Sequence, residues 1–344
     1  ISDHPKEVDL DLLMAAGEQI SAALVTIALR EVGCDSMGLT GFQAGILTSN
    51  RHTKARISDI KIDNIESGLA ENKVIVVAGF QGIAEDGTIT TLGRGGSDTT
   101  AVALAAKLDC LCEIYTDVDG IYTTDPRLFT KARKLGFISY EEMLEMASLG
   151  AGVMHSRSIE LAQKYKIPIY VASSEKIENG TFIKEQDDKM EERAITGLSV
   201  NDNDIMITLG KFPYDPKLIA NVFLGLAEEE VNVDMISQTA PQNNNISISF
   251  TAPSSDIQAI KVIMKQYSDK YNLDIDIDSN ITKISVVGIG MRSQSGVAAS
   301  IFKVFADNNI EYKQVTTSEI RITFTINVED KFKAVNLLAE KFNL

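Results

Sequence analysis

The chain has 344 residues, with 33 basic against 48 acidic side chains and a formal net charge of −15. That length allows two or three domains with separate cores, and so acidic a balance disfavours nucleic acid and anionic membrane surfaces as partners. Three cysteines (Cys34, Cys110, Cys112) and three histidines (His4, His52, His155) give no disulfide framework, zinc spacing or histidine-built metal site, which fits a reducing cytoplasm.

In chain order, "DLLMAAGEQISAALVTIALREVG" (11–33) predicts a long helix with a glycine stop. No apolar run is read as long enough to cross a membrane, and no charged-then-apolar leader opens the chain. "KVIVVAGF" (73–80) reads as an apolar strand ending at glycine, followed by a helix from about Asp98 to Leu108. "CLCEIYT" reads as a second buried strand, with Cys110 and Cys112 on opposite faces. "SYEEMLEMASLG" (139–150) has a serine cap, an acidic first turn and a glycine stop, and "RSIELAQKYKI" is a further helix leading into the strand "PIYVASS". Buried strands alternating with helices predict an α/β layered, mostly parallel sheet over 1–185, with ligands beyond the carboxyl ends of its strands.

The polar stretch "KEQDDKMEER" (184–193) reads as a connection, and beyond it the pattern repeats. "NVFLGLAEEEVNVDMISQT" (221–239) matches "SIFKVFADNNIEYKQVTTS" (300–318) in its apolar positions. Each copy has a strand before it, and a strand and helix after it. This predicts two ferredoxin-like βαββαβ modules, about 204–278 and 281–344, in a regulatory region over 194–344. "VVGIGMRSQSGVAA" (286–299) imitates a dinucleotide fingerprint, but Ser293 replaces the third glycine and the segment belongs to the repeat, so no nicotinamide site is assigned.

The chemistry-bearing stretch is "TTLGRGGSDTTAVALAA" (90–106). Gly93, Gly95 and Gly96 free backbone N–H groups for close approach to a ligand, and Ser97 or Asp98 is expected to cap the following helix. Arg94 offers a planar fork for a carboxylate or phosphate, and Asp98 an acceptor for an ammonium group or metal. A cation and an anion on one loop suit a zwitterion such as an α-amino acid. The competing reading makes Asp98 a plain N-cap and Arg94 a solvent-facing salt-bridge partner, and residue types alone do not choose between them. A second loop, "YTDVDGIYTTDPR" (115–127), places Thr116 and Asp117 at a strand's carboxyl end, with Tyr122 and Arg127 set to meet a base and phosphates, or serves as a turn. Glu18 lies in the first helix beside Gly17, a residue that weakens a helix by roughly 1 kcal/mol relative to alanine.

In order and spacing, "GEQISAAL", "LTGFQAGI", "VVAGFQG", "TTLGRGGSD", "YTDVDGIYTTDPR" and "ISYEEMLEMASLGA" resemble aspartate kinases of the amino-acid kinase superfamily. The terminal repeat resembles that family's paired ACT modules. The resemblance implies ATP-dependent phosphorylation of the L-aspartate side-chain carboxylate to 4-phospho-L-aspartate, early in lysine, threonine and methionine biosynthesis. Mg²⁺ would enter with ATP, and no metal would be held by protein alone. It implies Glu18, Arg94 and Asp98 around aspartate, and Thr116, Asp117, Tyr122, Arg127, Gly152 and Val153 around nucleotide. Asp215, Ile219, Val233, Asp234 and Thr239 would meet an inhibitory amino acid, lysine or threonine or both. A homodimer or higher homo-oligomer through the ACT modules is implied, with no nucleic-acid or membrane partner.

Three departures stand out. The family's opening lysine–glycine phosphate strand is not found, so the N-terminal strand and phosphate loop are expected to be missing from this chain. "GAGVMHS" (150–156) has Gly152 where the family carries lysine and Ser156 where it carries proline. Thr239-Ala240 stands where lysine-sensitive members have Ser-Glu. The first two motivate a second expectation, a catalytically impaired amino-acid-sensing relative, and the third leaves the effector's identity open. A third is a kinase of the superfamily acting on another acid.

Overall fold

A computed structural model of the chain describes residues 2, 5–148, 153–176, 178–186, 194–271 and 273–344. The chain divides into two compact units. Ile1–Ile121, Leu135–Ala147 and Gly152–Asp187 form one; Tyr122–Lys134, Ser148–Ala151 and Asp188–Leu344 form the other. The division is therefore not a single break near 185. Residues 122–134 join the C-terminal unit because Phe129 is buried in that unit's core and Leu198 N donates to Thr123 O at 2.7 Å.

The first unit runs α1 (Glu7–Glu31), β1 (Ser36–Leu39), β2 (Ile46–Thr48), β3 (Ile57–Ile60), α2 (Asp63–Ala70), β4 (Val74–Val77), β5 (Gln81–Ile83) and β6 (Ile89–Thr91). It continues with α3 (Gly96–Leu108), β7 (Cys112–Thr116), β8 (Phe137–Ser139), α4 (Tyr140–Ser148), α5 (Ser156–Tyr165), β9 (Ile169–Ser173) and β10 (Thr181–Lys184). Its strands form a β1-β4 pair and two four-stranded sheets, β3-β2-β5-β6 and β7-β9-β10-β8. Four pairings are parallel and three antiparallel. Leu39, Ile46, Ile60, Ile65 and Ala103 are buried together between sheet and helices. Ser139 and Glu142 close a reciprocal capping box at α4: Ser139 Oγ accepts from Glu142 N at 3.2 Å, and Glu142 Oε2 accepts from Ser139 N at 3.3 Å.

Two sequence expectations are corrected here. Strand β7 opens at Cys112, leaving Cys110 exposed in the connection before it, so the two cysteines do not share a strand. Burial pushes the Cys112 thiol up to about 12, the form of an inert core residue. The second correction concerns α1, which is long and apolar enough, by length and composition, to cross a membrane. Its four-residue spacing instead sets Asp11, Ala15, Ala22 and Thr26 inside the unit, while Leu13, Ile20, Leu24 and Ile27 face outward.

The second unit opens with β11 (Gly197–Asn201). Then come β12 (Asp204–Pro213), α6 (Pro216–Glu228), β13 (Asp234–Gln238), β14 (Asn245–Pro253), α7 (Ile257–Tyr271) and β15 (Asp274–Asp278). It ends with β16 (Ile281–Val287), α8 (Val297–Asp307), β17 (Tyr312–Thr317), β18 (Arg321–Asn327) and α9 (Lys331–Phe342). The sheets are ordered β13-β14-β12-β15 and β11-β16-β18-β17, the same ferredoxin-like arrangement twice. The second module is not confined to 281–344, because its outer strand is β11, which pairs antiparallel with β16. The first module is thus inserted between two strands of the second. Gly288, the first glycine of the apparent dinucleotide fingerprint, has a structural task. A Cβ there would lie 2.3 Å from Ala194 O, where the chain entering β11 crosses the end of β16.

Where the modules meet, Lys283 of β16 is buried at 3 % exposure and ion-pairs with Asp204, and with Asp234 at 2.9 Å. Burial pushes the Asp234 carboxyl up, but the Lys283 ammonium prevails and holds it below the usual carboxylate range. The Lys283–Asp234 stabilisation is therefore present above Asp234's ordinary pKa and lost as pH falls through its lowered folded value. Lys283→Met leaves the buried Asp204 carboxylate without its cation and is expected to destabilise this unit by about 3–5 kcal/mol in urea unfolding. Adding Asp204→Asn should recover part of that loss.

Candidate active site

The site is built where β4, β6 and α1 of the first unit converge on the start of α3. The chain leaves β4 through Ala78, Gly79 and Phe80, and Phe80 sits at φ +67°, a left-handed conformation that aromatic side chains rarely adopt. Two hydrogen bonds hold it: Phe80 N donates to Thr100 Oγ1 at 3.0 Å, and Leu92 N donates to Phe80 O at 2.9 Å. The glycine loop is thereby tied to the carboxyl end of β4. Helix α3 begins at Gly96, with left-handed Gly95 (φ +68°) as its N-cap and no side-chain cap. The expected cap by Ser97 or Asp98 is therefore absent, since a left-handed turn brings the chain into the helix at Gly96, before either side chain.

Neither charged group is spent on capping the helix. Asp98 lies in the first turn of α3 without capping it, and Arg94 is exposed and makes no ion pair with another described residue. Desolvation pushes the Asp98 carboxyl above the usual range, although His155 pulls it down. A raised folded pKa means that Asp98 stabilises the fold most below its ordinary pKa, and that this contribution is lost as pH rises through the folded value. Asp98→Asn is accordingly expected to raise Tm near pH 7 and to leave it unchanged below about pH 4. Calorimetry at both pH values checks this, and a lower Tm at pH 7 would contradict it.

Glu18 is half-buried on α1, one turn from Ala15 and Ala22 on the face turned into the unit. That face is pinned by the buried Gln81 at the start of β5: Gln81 Nε2 donates to Ala15 O at 3.1 Å, and Gln81 Oε1 accepts from Gln19 Nε2 at 2.9 Å. Glu18, Arg94 and Asp98 therefore all stand on elements fastened to β5, β6 and α3 of one unit.

The other expected residues are dispersed. Thr116 ends β7 beside the end of β9, where Ser174 N donates to Thr116 O at 2.8 Å, and Thr116 Oγ1 donates to Asp117 Oδ1 at 3.0 Å. Tyr122 and Arg127 belong to the second unit. Tyr122 pairs with Lys134 in an isolated antiparallel bridge, and the exposed Arg127 guanidinium is engaged by Asp125 at 2.7 and 3.0 Å. Val153 is half-buried just before α5, and Gly152 lies outside the described residues. Among the expected effector residues, Asp215 caps α6 by accepting from Lys217 N at 2.9 Å. Ile219 and Val233 pack on the first module's core, Asp234 pairs with Lys283, and Thr239 closes a turn with Ser247.

Sequence reasoning missed three groups that shape the glycine loop. Asp11 is wholly buried and accepts from Thr91 Oγ1 at 2.5 Å. Arg157 of α5 donates to Leu92 O at 2.8 Å. His155 caps α5 and packs on Gly95. A lone acid in the buried stripe of α1 was the one available signal.

A layered α/β unit whose glycine loop opens a helix, followed by ferredoxin-like modules, defines a class of small-molecule kinases with regulatory modules. Residues 1–173 match the Amino acid kinase family and residues 284–342 match an ACT domain. Aspartokinase 2 of Bacillus subtilis (strain 168) is 43 % identical over 346 residues, an alignment spanning all of this chain and 85 % of that protein. Aspartokinase III of E. coli, solved with aspartate and ADP in its R-state, is similar at a TM-score of 0.81 and 25 % identity, over 99 % of this chain and 77 % of that one. The same enzyme with lysine and aspartate in its T-state gives a TM-score of 0.76 at 26 % identity, over the same shares of 99 % and 77 %. The chain belongs to the aspartokinases, phosphotransferases of the amino acid kinase family that carry ACT modules.

Proposed function

We propose that the glycine loop binds L-aspartate as a zwitterion and that the chain transfers the ATP γ-phosphoryl group to the aspartate side-chain carboxylate. The observation that carries this reading is the pair of opposite charges, Arg94 on the glycine loop and Asp98 in the first turn of the helix it opens, with Arg94 unpaired among the described residues and Asp98 not used as a cap. Arg94 grips the α-carboxylate through its planar fork, while Asp98 and Glu18 receive the α-ammonium. The free side-chain carboxylate oxygen then attacks the γ-phosphorus. The bond from that phosphorus to the β-phosphate oxygen breaks, and ADP leaves with 4-phospho-L-aspartate as the other product. A carboxylate is ionised at neutral pH, so catalysis rests on positioning and charge neutralisation rather than on a general base.

Thr116, Asp117, Tyr122, Arg127, Gly152 and Val153 are proposed to meet the nucleotide, with Arg127 exchanging Asp125 for phosphate. The proposed Mg²⁺ would arrive on the nucleotide phosphates and supply charge neutralisation there. The ACT modules are proposed to bind lysine, threonine or both through Asp215, Ile219, Val233, Asp234 and Thr239, and to assemble copies of the chain into a cytoplasmic homo-oligomer. The product would feed lysine, threonine and methionine biosynthesis. ADP release with Mg-ATP and either aspartate or N-acetylglutamate tests the reading. Turnover on aspartate supports it; turnover on N-acetylglutamate alone, or binding of lysine or threonine without any turnover, overturns it.

A further inference from the structure

We propose that Asp11 and Arg157 are positioning residues that clamp the glycine loop against the 52–55 turn and so set the aim of Arg94; this rests on the reading of that loop as the aspartate site. Neither residue is in the glycine loop, and both are fastened to its backbone or to the turn beside it.

Asp11 is completely buried, and its hydrogen bonds converge on two short segments. Its carboxylate accepts from Thr53 N at 3.0 and 3.1 Å and from Thr91 Oγ1 at 2.5 Å, and lies 2.7 Å from His52 Nδ1. Arg157 reaches the same two segments from the other side. One guanidinium nitrogen donates to Leu92 O at 2.8 Å and the other to Ala55 O at 2.9 Å. Between the clamps, Ala55 N donates to Thr91 O at 2.9 Å, joining turn to loop.

The turn is strained. Thr53 is β-branched yet stands at φ +59°, a left-handed conformation that such residues avoid. Its N–H is held in that conformation by both carboxylate oxygens of Asp11. The consequence falls on the loop: Thr53 O lies 2.9 Å from where a Cβ on Gly93 would sit, and Gly93 is the residue before Arg94. A buried carboxylate thus stabilises an unfavourable turn whose carbonyl forms the wall behind the substrate-gripping arginine. Arg157 prevents the loop from sliding along that wall by spanning one carbonyl on each side.

The test is steady-state kinetics of the full chain with Mg-ATP and aspartate, comparing Asp11→Asn, Arg157→Lys and Asp11→Asn/Thr53→Gly. Asparagine keeps the volume of Asp11 but replaces one acceptor with a donor facing Thr53 N–H or the Thr91 hydroxyl. Lysine keeps the charge of Arg157 but cannot span two carbonyls. Both single variants are expected to raise the KM for aspartate about tenfold or more while the KM for ATP stays within about twofold. Thr53→Gly removes the left-handed strain and should recover much of the aspartate KM in the Asp11→Asn background. If both KM values rise together, or if Thr53→Gly recovers nothing, the positioning role is overturned. Should Asp11→Asn fail to fold, Arg157→Lys decides the matter alone by the same comparison. Arg94→Ala is the reference: if it shifts the aspartate KM and the clamp variants do not, only the clamp is wrong. If it does not, the substrate reading of the loop falls first.

Discussion

Arg94→Ala is expected to raise the KM for aspartate on the order of 100-fold, corresponding to about 2.7 kcal/mol of lost binding, while the KM for ATP changes little. The asymmetry follows from where Arg94 stands. It lies between two glycines on the loop that opens α3, exposed and without an ion pair among the described residues, so its removal leaves no structural contact unmade. Arg94→Lys should recover only part of the loss, because a single ammonium cannot reproduce the fork's paired hydrogen bonds. Equal effects on both substrates would place Arg94 against phosphate instead.

Gly95→Ala is expected to damage activity more than stability. Gly95 is left-handed, and its missing Cβ would lie 2.2 Å from His155 Cβ. The left-handed backbone alone costs alanine roughly 1–2 kcal/mol. Thermal unfolding should register that as a fall in Tm of about 2–8 °C. Activity should fall further, by about 100-fold or more in kcat/KM, because relief of the clash requires the loop to move and carry Arg94 and Asp98 with it. The clashing atom on the partner is a Cβ, so His155→Ala cannot relieve it whereas His155→Gly can. Partial recovery of activity in Gly95→Ala/His155→Gly, with none in Gly95→Ala/His155→Ala, is the expected pattern.

Much of this architecture is legible from residue order because long apolar elements announce themselves. The helix at the N-terminus, the strand "VIVV" and the paired ferredoxin-like repeats needed only periodicity and stop signals. The strands β2, β5 and β6 are three residues each, too short for any period to show, and they form the floor under the glycine loop. Strand β11 was missed for another reason. It completes a sheet whose other strands begin some eighty residues later, and pairing at that distance leaves no local trace. Within the site, the mixed charge of "GRGGSD" was visible as chemistry, but the capping expectation was wrong because a left-handed glycine took the role usually filled by a side chain. Asp11 and Arg157 were invisible for a related reason. Their partners are mostly backbone atoms of loops 40 to 100 residues away, and backbone atoms carry no sequence signature.

The central claim is that one loop reads both charges of an amino acid. ADP release by the full chain with Mg-ATP, measured as kcat/KM on aspartate, succinate (no amino group) and β-alanine (no α-carboxylate), tests it most directly. The wild type should prefer aspartate over both. Arg94→Ala should abolish the preference over β-alanine and keep that over succinate, and Asp98→Asn should do the reverse. If both variants keep both preferences, the loop does not recognise the amino acid and the account is wrong.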